Sequence, residues 1–369
     1  MKKLFFVSSF LCVSFVFDKS EHSPIFEKSE RFNKKALEYW IALTIGKIAK
    51  KKVQIMKRFR LNINSLWVIG LMLLNFFCIG CKSNIQPLRL ATYTYSTNNR
   101  ISNLKPLSRE LEKVLERPVQ IKSYPDVISF IEGIKSDEVD IGMINTLGYL
   151  LFSLDNKNMK PITTLKVRNN AIDNYKTVLL ANNEVVEDLE TLMENHSNLS
   201  MMFVAEGSTS GNLVPRLLLS SLGIKSPENQ FKEVKYGGNH TTTFNKLIAG
   251  ETDICAFGSN EYYKQIQADS TLLNTHKLLW VSEEIPLGPV LLNNNINQLD
   301  KKKITNLFLN LHKDNFAALQ SIKEGWSEAK QAEKFYPISD GYYDDFRMIN
   351  GNKTDLLEVL DFFQKANND

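Results

Sequence analysis

The chain has 369 residues, 43% hydrophobic and 23% charged, which is ordinary globular composition and too long for one typical core. Its net charge of +4 is unevenly held: residues 1–80 carry 14 Lys+Arg against 5 Asp+Glu, and residues 81–369 carry 31 against 36. The mildly acidic body excludes a general nucleic-acid binder, which needs a basic stripe on its folded domain.

Two export-type starts stand in tandem. Met1-Lys2-Lys3 precedes an apolar run to Phe17, after which residues 18–55 are polar, lysine-rich and without an evident core. Met56-Lys57-Arg58-Phe59-Arg60 then precedes Leu66 to Phe77, an apolar run too short to span a bilayer comfortably. Gly80-Cys81 resembles the lipobox of bacterial lipoproteins, whose cysteine is lipidated and becomes the mature N-terminus; Cys78 stands where such signals usually carry leucine. The alternative is a transmembrane anchor, disfavoured by the length of the run and by the polar Lys82-Ser83-Asn84 that follows. Two export signals in one precursor serve no purpose, so translation is expected to start at Met56, with residues 56–80 as signal peptide and residues 1–55 outside the native precursor.

The body alternates strand and helix patterns. Leu88 to Tyr93 reads as a strand, followed by a loop with Tyr95 and a helix near Leu104 to Leu115. Val119 to Ser123 is a second strand, and Tyr124-Pro125-Asp126 opens a helix, since Pro and Asp suit a first turn. Val139 to Ile144 is a third, and Asn145-Thr146 leads into an apolar helix. This alternation predicts an α/β fold with mainly parallel sheets flanked by helices, and ligands in such sheets sit beyond the carboxyl ends of the strands. Tyr93, Tyr95, Tyr124, Asn145 and Thr146 all fall there.

Lys176 to Ala181 is another strand, and Met201 to Ala205 the next. The latter ends in Glu206-Gly207-Ser208-Thr209-Ser210-Gly211 and passes into a leucine-rich helix. Strand, hydroxyl-rich loop and helix start make an anion cradle, because the first N–H groups of a helix lack partners and carry partial positive charge. An ordinary N-cap at Ser208 is the plainer reading of that serine alone. The design recurs, however: Phe231 to Tyr236 ends in Gly237-Gly238-Asn239-His240-Thr241 and a helix to Ala249, and Ile254 to Phe257 follows. Leu278 to Val281 and Ile285 to Leu292 read as strands returning to the first lobe, followed by helices over 303–313 and 315–325. Trp280 and Trp326 read as packing residues.

Reactive chemistry finds little support. Cys255 lies alone in an apolar strand and reads as a buried structural thiol; His22, His196, His240, His276 and His312 are scattered, so no metal site is expected. Gly207-Ser208-Thr209-Ser210-Gly211 has Thr209 where a nucleophile elbow needs serine, and no Walker lysine occurs, so a hydrolase is disfavoured and no cofactor is expected.

Ser208-Thr209-Ser210-Gly211 with Pro215, then Gly238-Asn239-His240, Gly250-Glu251-Thr252-Asp253 and Tyr336, resemble the phosphate-, phosphite- and phosphonate-binding proteins of ABC transporters, over essentially Leu88 to Ile349. The resemblance implies a two-lobed type 2 periplasmic-binding fold with the ligand cleft between lobes, residues 81–180 with 283–369 forming one lobe and 181–282 the other. It implies that Ser208, Thr209, Ser210 and His240, with Asn239, grip the phosphoryl oxygens. Tyr93 or Tyr95 and Tyr124 would then close over them, with Asn145 and Thr146 as wall. The expected protein is an extracytoplasmic monomer, lipid-anchored through Cys81, delivering a phosphorus oxyanion to an ABC permease and its ATPase. A ligand-sensing lipoprotein coupled to a membrane receptor is the alternative. Many members carry an acid after the strand that follows Asp253; here Gly258 stands there, which disfavours an aminoalkylphosphonate unless Glu261 substitutes.

Overall fold

Apolar runs too short for helices become strands, and the amphipathic stretches between them become helices that cover the sheets. The computed structural model describes residues 39–51, 86–155, 157–168, 174–348 and 353–365. The chain divides into two units, Met1–Ser83 and Asn84–Asp369. The first contributes an exposed helix over residues 39–51; the segment from Met56 through Cys81 lies outside the described residues. Among the described residues no helix is long and apolar enough to cross a membrane.

The second unit runs β1 (Leu88–Tyr93), α1 (Ile101–Leu115), β2 (Val119–Tyr124), α2 (Val127–Lys135), β3 (Ile141–Met143), α3 (Thr146–Asp155), β4 (Met159–Val167) and β5 (Thr177–Asn182). It continues with α4 (Leu189–Asn195), β6 (Ser200–Phe203), α5 (Val214–Ser221), β7 (Glu233–Tyr236), α6 (His240–Ile248), β8 (Ile254–Gly258), α7 (Ser259–Ala268) and β9 (His276–Val281). Finally come β10 (Pro289–Asn293), α8 (Gln298–Asp314), α9 (Phe316–Gly325), β11 (Ala332–Pro337) and α10 (Lys353–Lys365). One sheet has the order β11-β4-β10-β3-β1-β2 and the other β7-β6-β8-β5-β9.

Each lobe is built on the same βαβαβ unit. β2-β1-β3 and β7-β6-β8 are parallel. A carboxylate braces the third strand of each against the first: Asp140 accepts from Arg89 N at 2.7 Å, and Asp253 from Ser200 N at 2.8 Å. Neither aspartate is placed to do chemistry. The expectation of mainly parallel sheets fails outside these units, because β10, β4, β11, β5 and β9 all add antiparallel pairs. The strands flanking the passages between lobes are not tied to their sheet neighbours by helical crossovers, so nothing makes them parallel.

The second lobe also begins earlier than expected. β5 pairs with β8 and β9, so that lobe already holds Thr177 and does not start at 181. Thr177 to Ala181 are buried on both faces, which only an interior strand achieves. β4 escaped prediction because Pro161 interrupts it; a register shift in the β4–β10 pairing accommodates the missing N–H.

The two lobes share apolar backing. α10 lays Leu356, Val359, Leu360 and Phe363 on a core that also holds Leu151 and Phe152 of α3 and Val214 and Leu217 of α5. Arg216, buried and ion-paired with Glu228, lies 4.5 Å from the Phe203 ring and 4.1 Å from that of Phe362. Cys255 is fully buried, as expected, and burial pushes its thiol pKa up.

The second passage presses on α3. At Gly288 a Cβ would lie 1.9 Å from the Ile144 carbonyl oxygen and 2.6 Å from Asn145 Cα. Gly288→Ala is therefore expected to lose at least about 2 kcal/mol in chemical denaturation. A loss below about 0.5 kcal/mol, the range of a neutral surface change, would refute this packing.

Candidate functional site

The hydroxyl loop after β6 is not a simple helix start. Leu213 N reaches back to the Ser208 carbonyl at 3.1 Å, so Thr209–Leu213 form a wide, π-helical turn before α5 begins. Such turns recur at functional sites. Gly211 permits it, since a Cβ there would lie 2.3 Å from Val204 Cγ2. Within the turn the three hydroxyls diverge. Ser208 Oγ accepts from Gly211 N at 3.0 Å and is a true cap. Thr209 Oγ1 accepts from Leu147 N at 3.0 Å, a bond from one lobe to the other. Ser210 Oγ is buried with no hydrogen-bond partner among the described residues, while its carbonyl is fixed by Thr177 Oγ1 at 2.7 Å.

The second donor loop sets a histidine beside that serine. Asn239 caps α6 by accepting from Thr242 N at 2.9 Å, which makes His240 the first helical residue. Its Nδ1 accepts from Gly258 N at 3.0 Å, so the neutral ring carries its proton on Nε2. Burial lowers its pKa to about 4, against the opposing charge of Glu261. His240 is therefore a neutral donor near pH 7. With Nδ1 bound to a backbone N–H and not to a carboxylate, no serine–histidine–acid relay exists here.

Tyr95 comes to this pair from the other lobe. Its ring lies 6.1 Å from that of His240, and its Oη is buried without a partner. Burial, then the charge of Glu328, raises its pKa, so the phenol stays protonated. Tyr175 in the first passage is also buried, and its hydroxyl neighbours those of Ser210 and Thr209. Tyr95, Tyr175 and His240 border a cleft of about 700 Å³ between the lobes, lined also by Asn239, Asn260, Glu261, Lys264, Arg168 and Glu328, while Ser210 is buried behind that lining beside Gly258.

The other expected residues are placed differently. Tyr93 is buried behind Tyr95, its ring 6.1 Å from that of Phe130. Asn145 donates across the lobes to Gly207 O at 2.7 Å and caps α3 by accepting from Gly148 N at 2.9 Å. Thr146 donates to Pro286 O at 2.5 Å. Both are wall and latch, with their polar atoms already engaged. Tyr124 is a correction: its Oη donates to Glu138 at 2.8 Å, its ring packs 5.4 Å from Phe130, and it does not line the cleft. It leans onto α2 because Gly133 there has no Cβ, which would otherwise meet the ring at 2.2 Å. Cys81 lies outside the described residues.

Gly258 has a different meaning in three dimensions. A Cβ there would lie 3.4 Å from both His240 Cε1 and Ser210 Oγ. An acid at this position would abut the donors themselves and repel an anion. Glu261 is not free for an amine, since it accepts from Gln265 Nε2 at 2.6 Å and from Lys264 at 3.3 Å. Sequence reasoning missed Tyr175, Asn260 and Glu328. Only Tyr175, just ahead of a strand at a passage between lobes, left a trace that could have been followed. Among the described residues no group of three His, Cys, Asp or Glu could hold a metal.

The family described as "ABC transporter, phosphonate, periplasmic substrate-binding protein" matches residues 91–343. The phosphonates-binding periplasmic protein of Escherichia coli (strain K12) is 23% identical over 292 residues, covering 74% of this chain and 85% of its own. Two solved structures share the fold. A binding protein component of an ABC phosphonate transporter from Pseudomonas aeruginosa has a TM-score of 0.56 at 20% identity, covering 76% of this chain and 98% of its own. PhnD1 from Prochlorococcus marinus (MIT 9301), in complex with methylphosphonate, has a TM-score of 0.56 at 18% identity, covering 72% and 97%.

The state of His240 is open to measurement through stability. Its pKa falls from 6.5 to about 4 on folding. The unfolded chain thus binds an extra proton between those values, and stability is lost as pH falls through that window. Thermal unfolding between about pH 7 and about pH 5 is expected to fall more steeply for the wild type than for His240→Gln. Equal slopes would show that the imidazole is not held neutral.

Proposed function

The chain belongs to the family of periplasmic substrate-binding proteins of phosphonate ABC transporters, and from that premise we propose that its cleft captures a small phosphorus oxyanion between the two lobes. Members of this family are extracytoplasmic transport components and not enzymes. Membrane attachment through lipid on Cys81, delivery of the ligand as a monomer to a permease and ATPase, and lobe closure over the ligand belong to the same proposal.

One observation carries the reading. Ser210 Oγ from one lobe and Tyr95 Oη from the other are buried donors without partners, and both border the ring of His240. A buried hydroxyl without a partner costs about 1–3 kcal/mol, so Tyr95 Oη on the cleft lining and Ser210 Oγ just behind it beside Gly258 favour a ligand that satisfies both. Nε2–H of His240 and the N–H groups of two helix starts, Thr209–Ser210 and His240–Thr241, add further donors. A tetrahedral oxyanion presents three oxygens to such a set.

The energies suffice. Micromolar binding is about −8 kcal/mol, and four or five charge-assisted hydrogen bonds of about 1.5–3 kcal/mol each reach it after ordering costs. The latching bonds at Thr209–Leu147 and Asn145–Gly207 supply a physical basis for closure, since each joins one lobe to the other. Methylphosphonate is bound by the Prochlorococcus relative, and phosphite, phosphate and methylphosphonate all suit this donor set.

Calorimetric titration with phosphate, phosphite, methylphosphonate and 2-aminoethylphosphonate tests the assignment, and silence across all four would reject it. The two outer serines separate binding from folding. Ser210→Ala removes no bond of the protein and is expected to weaken binding about tenfold or more with little change in stability. Ser208→Ala removes the cap and is expected to cost about 1 kcal/mol of stability. Ser210→Ala binding with wild-type affinity would overturn its role.

A further inference from the structure

Arg100 has no part in the site as described so far, yet its position is unusual. It is 2% exposed and holds a left-handed backbone at φ 60° just before α1. Its Nε donates to Gly325 O at 2.8 Å and its Nη1 to Tyr93 O at 3.4 Å. The guanidinium carbon lies 4.4 Å from the Trp326 ring, 4.6 Å from that of Tyr93 and 5.5 Å from that of Tyr95. Among the described residues no carboxylate stands at ion-pair distance from it. The acid that its charge influences is Glu328, on the cleft wall and acting through space.

A buried cation without a contacting anion is costly, and aromatic faces offset only part of the desolvation. This cation sits directly behind Tyr95. In front of Tyr95 stand Ser210 and His240, both neutral, and Gly258, which brings no charge. Elsewhere on the cleft lining, Asn260 presents an amide whose Oδ1 is buried without a partner among the described residues. Arg168 and Lys264 also line this cleft but are exposed to solvent, so the buried positive charge next to the donor cluster is Arg100, separated from it by the Tyr95 ring.

We propose that Arg100 is the counter-charge of the bound anion, left unpaired in the protein so that a doubly ionised phosphorus oxyacid at Tyr95, Ser210 and His240 completes it. This rests on the functional reading above and narrows it: the ligand form selected is the dianion of a phosphonate, phosphite or phosphate. Arg100 is a positioning residue. It acts through Tyr95, which it stacks upon, and through the field it projects into a poorly solvated cleft, where charge is weakly screened. The three-ring cage holds the guanidinium rigid and keeps it from turning to the nearest carboxylate.

The test is calorimetric titration of methylphosphonate at two pH values, about 1.5 units below and above its second ionisation. Other groups facing Arg100 and the donors must not titrate between them. His240 is neutral at both, and burial raises the pKa of the Tyr93, Tyr95 and Tyr175 phenols. Glu328, which burial also raises, is removed by Glu328→Gln in every variant. The Glu328→Gln protein is expected to bind about tenfold or more tightly at the higher pH. Adding Arg100→Met should abolish that gain while leaving low-pH affinity within about threefold, and Arg100→Lys should restore most of it. An equal loss at both pH values, or no gain in the Glu328→Gln protein, would overturn the proposal. Should Arg100→Met fail to fold, Arg100→Lys decides: a retained gain supports the charge, and a lost gain overturns it. No binding by the wild type at either pH would reject the functional reading itself, whereas binding indifferent to Arg100 would reject only this inference.

Discussion

A donor that is buried and unpaired destabilises a fold, and among its described residues this protein holds two such hydroxyls, one from each lobe, in the neighbourhood of His240. Most of the polar groups around Ser210 Oγ and Tyr95 Oη are bonded within the protein, Asn260 Oδ1 being another exception. Ser208 is spent on capping, Thr209 on reaching Leu147, Asn145 on Gly207 and Gly148, Thr146 on Pro286, and His240 Nδ1 on Gly258. Because these neighbours are satisfied by the protein, they fix the geometry of the two that are not. Preorganisation of this kind lowers the ordering cost of binding.

The electrostatics follow the same economy. The body of the chain is mildly acidic, so no long-range field draws an anion in, and the attraction must come from the cleft. Burial keeps His240 neutral, and neutral donors in a poorly solvated pocket bind an oxyanion without a competing internal salt bridge. Arg100 adds charge from behind an aromatic screen of Tyr93, Tyr95 and Trp326. Glu261 is occupied by Lys264 and Gln265, which leaves this part of the cleft lining with an amide at Asn260 and not a free carboxylate.

The fold serves the site by bringing together helix starts that are far apart in sequence. α3 and the turn that leads into α5 meet where the lobes join, tied by the Thr209–Leu147 bond, and both helices are backed by the apolar face of α10. The second passage is pressed against α3 at Gly288, and Trp280 packs against the cores of both lobes. Relative movement of the lobes is therefore constrained at the passages and at the back. The cleft side is held by a small number of polar bonds, which are the ones a ligand can reinforce.

The local elements were legible from the chain alone. Apolar runs at β1, β2, β3, β6 and β8 and the helix openings near Asp126 and His240 are determined by side-chain periodicity and hydrogen-bonding chemistry within a few residues. So was the hydroxyl loop at Ser208 to Ser210 and its partner at His240. What the chain did not show depends on contacts between distant segments. β4 hides behind Pro161, β5 belongs to the second lobe because both its faces are buried there, and the passage strands run antiparallel because no helix links them to their neighbours. Tyr124 has the right residue type at the right end of its strand, yet a glycine on α2 gives its ring somewhere else to go. Arg100 is one more charged residue in a polar loop until Tyr93, Tyr95 and Trp326 close around it from segments more than 200 residues apart. Sequence thus determined which groups can hold an oxyanion. Tertiary structure decided which of them remain free to do so, because a hydrogen bond already made within the fold is no longer available to a ligand.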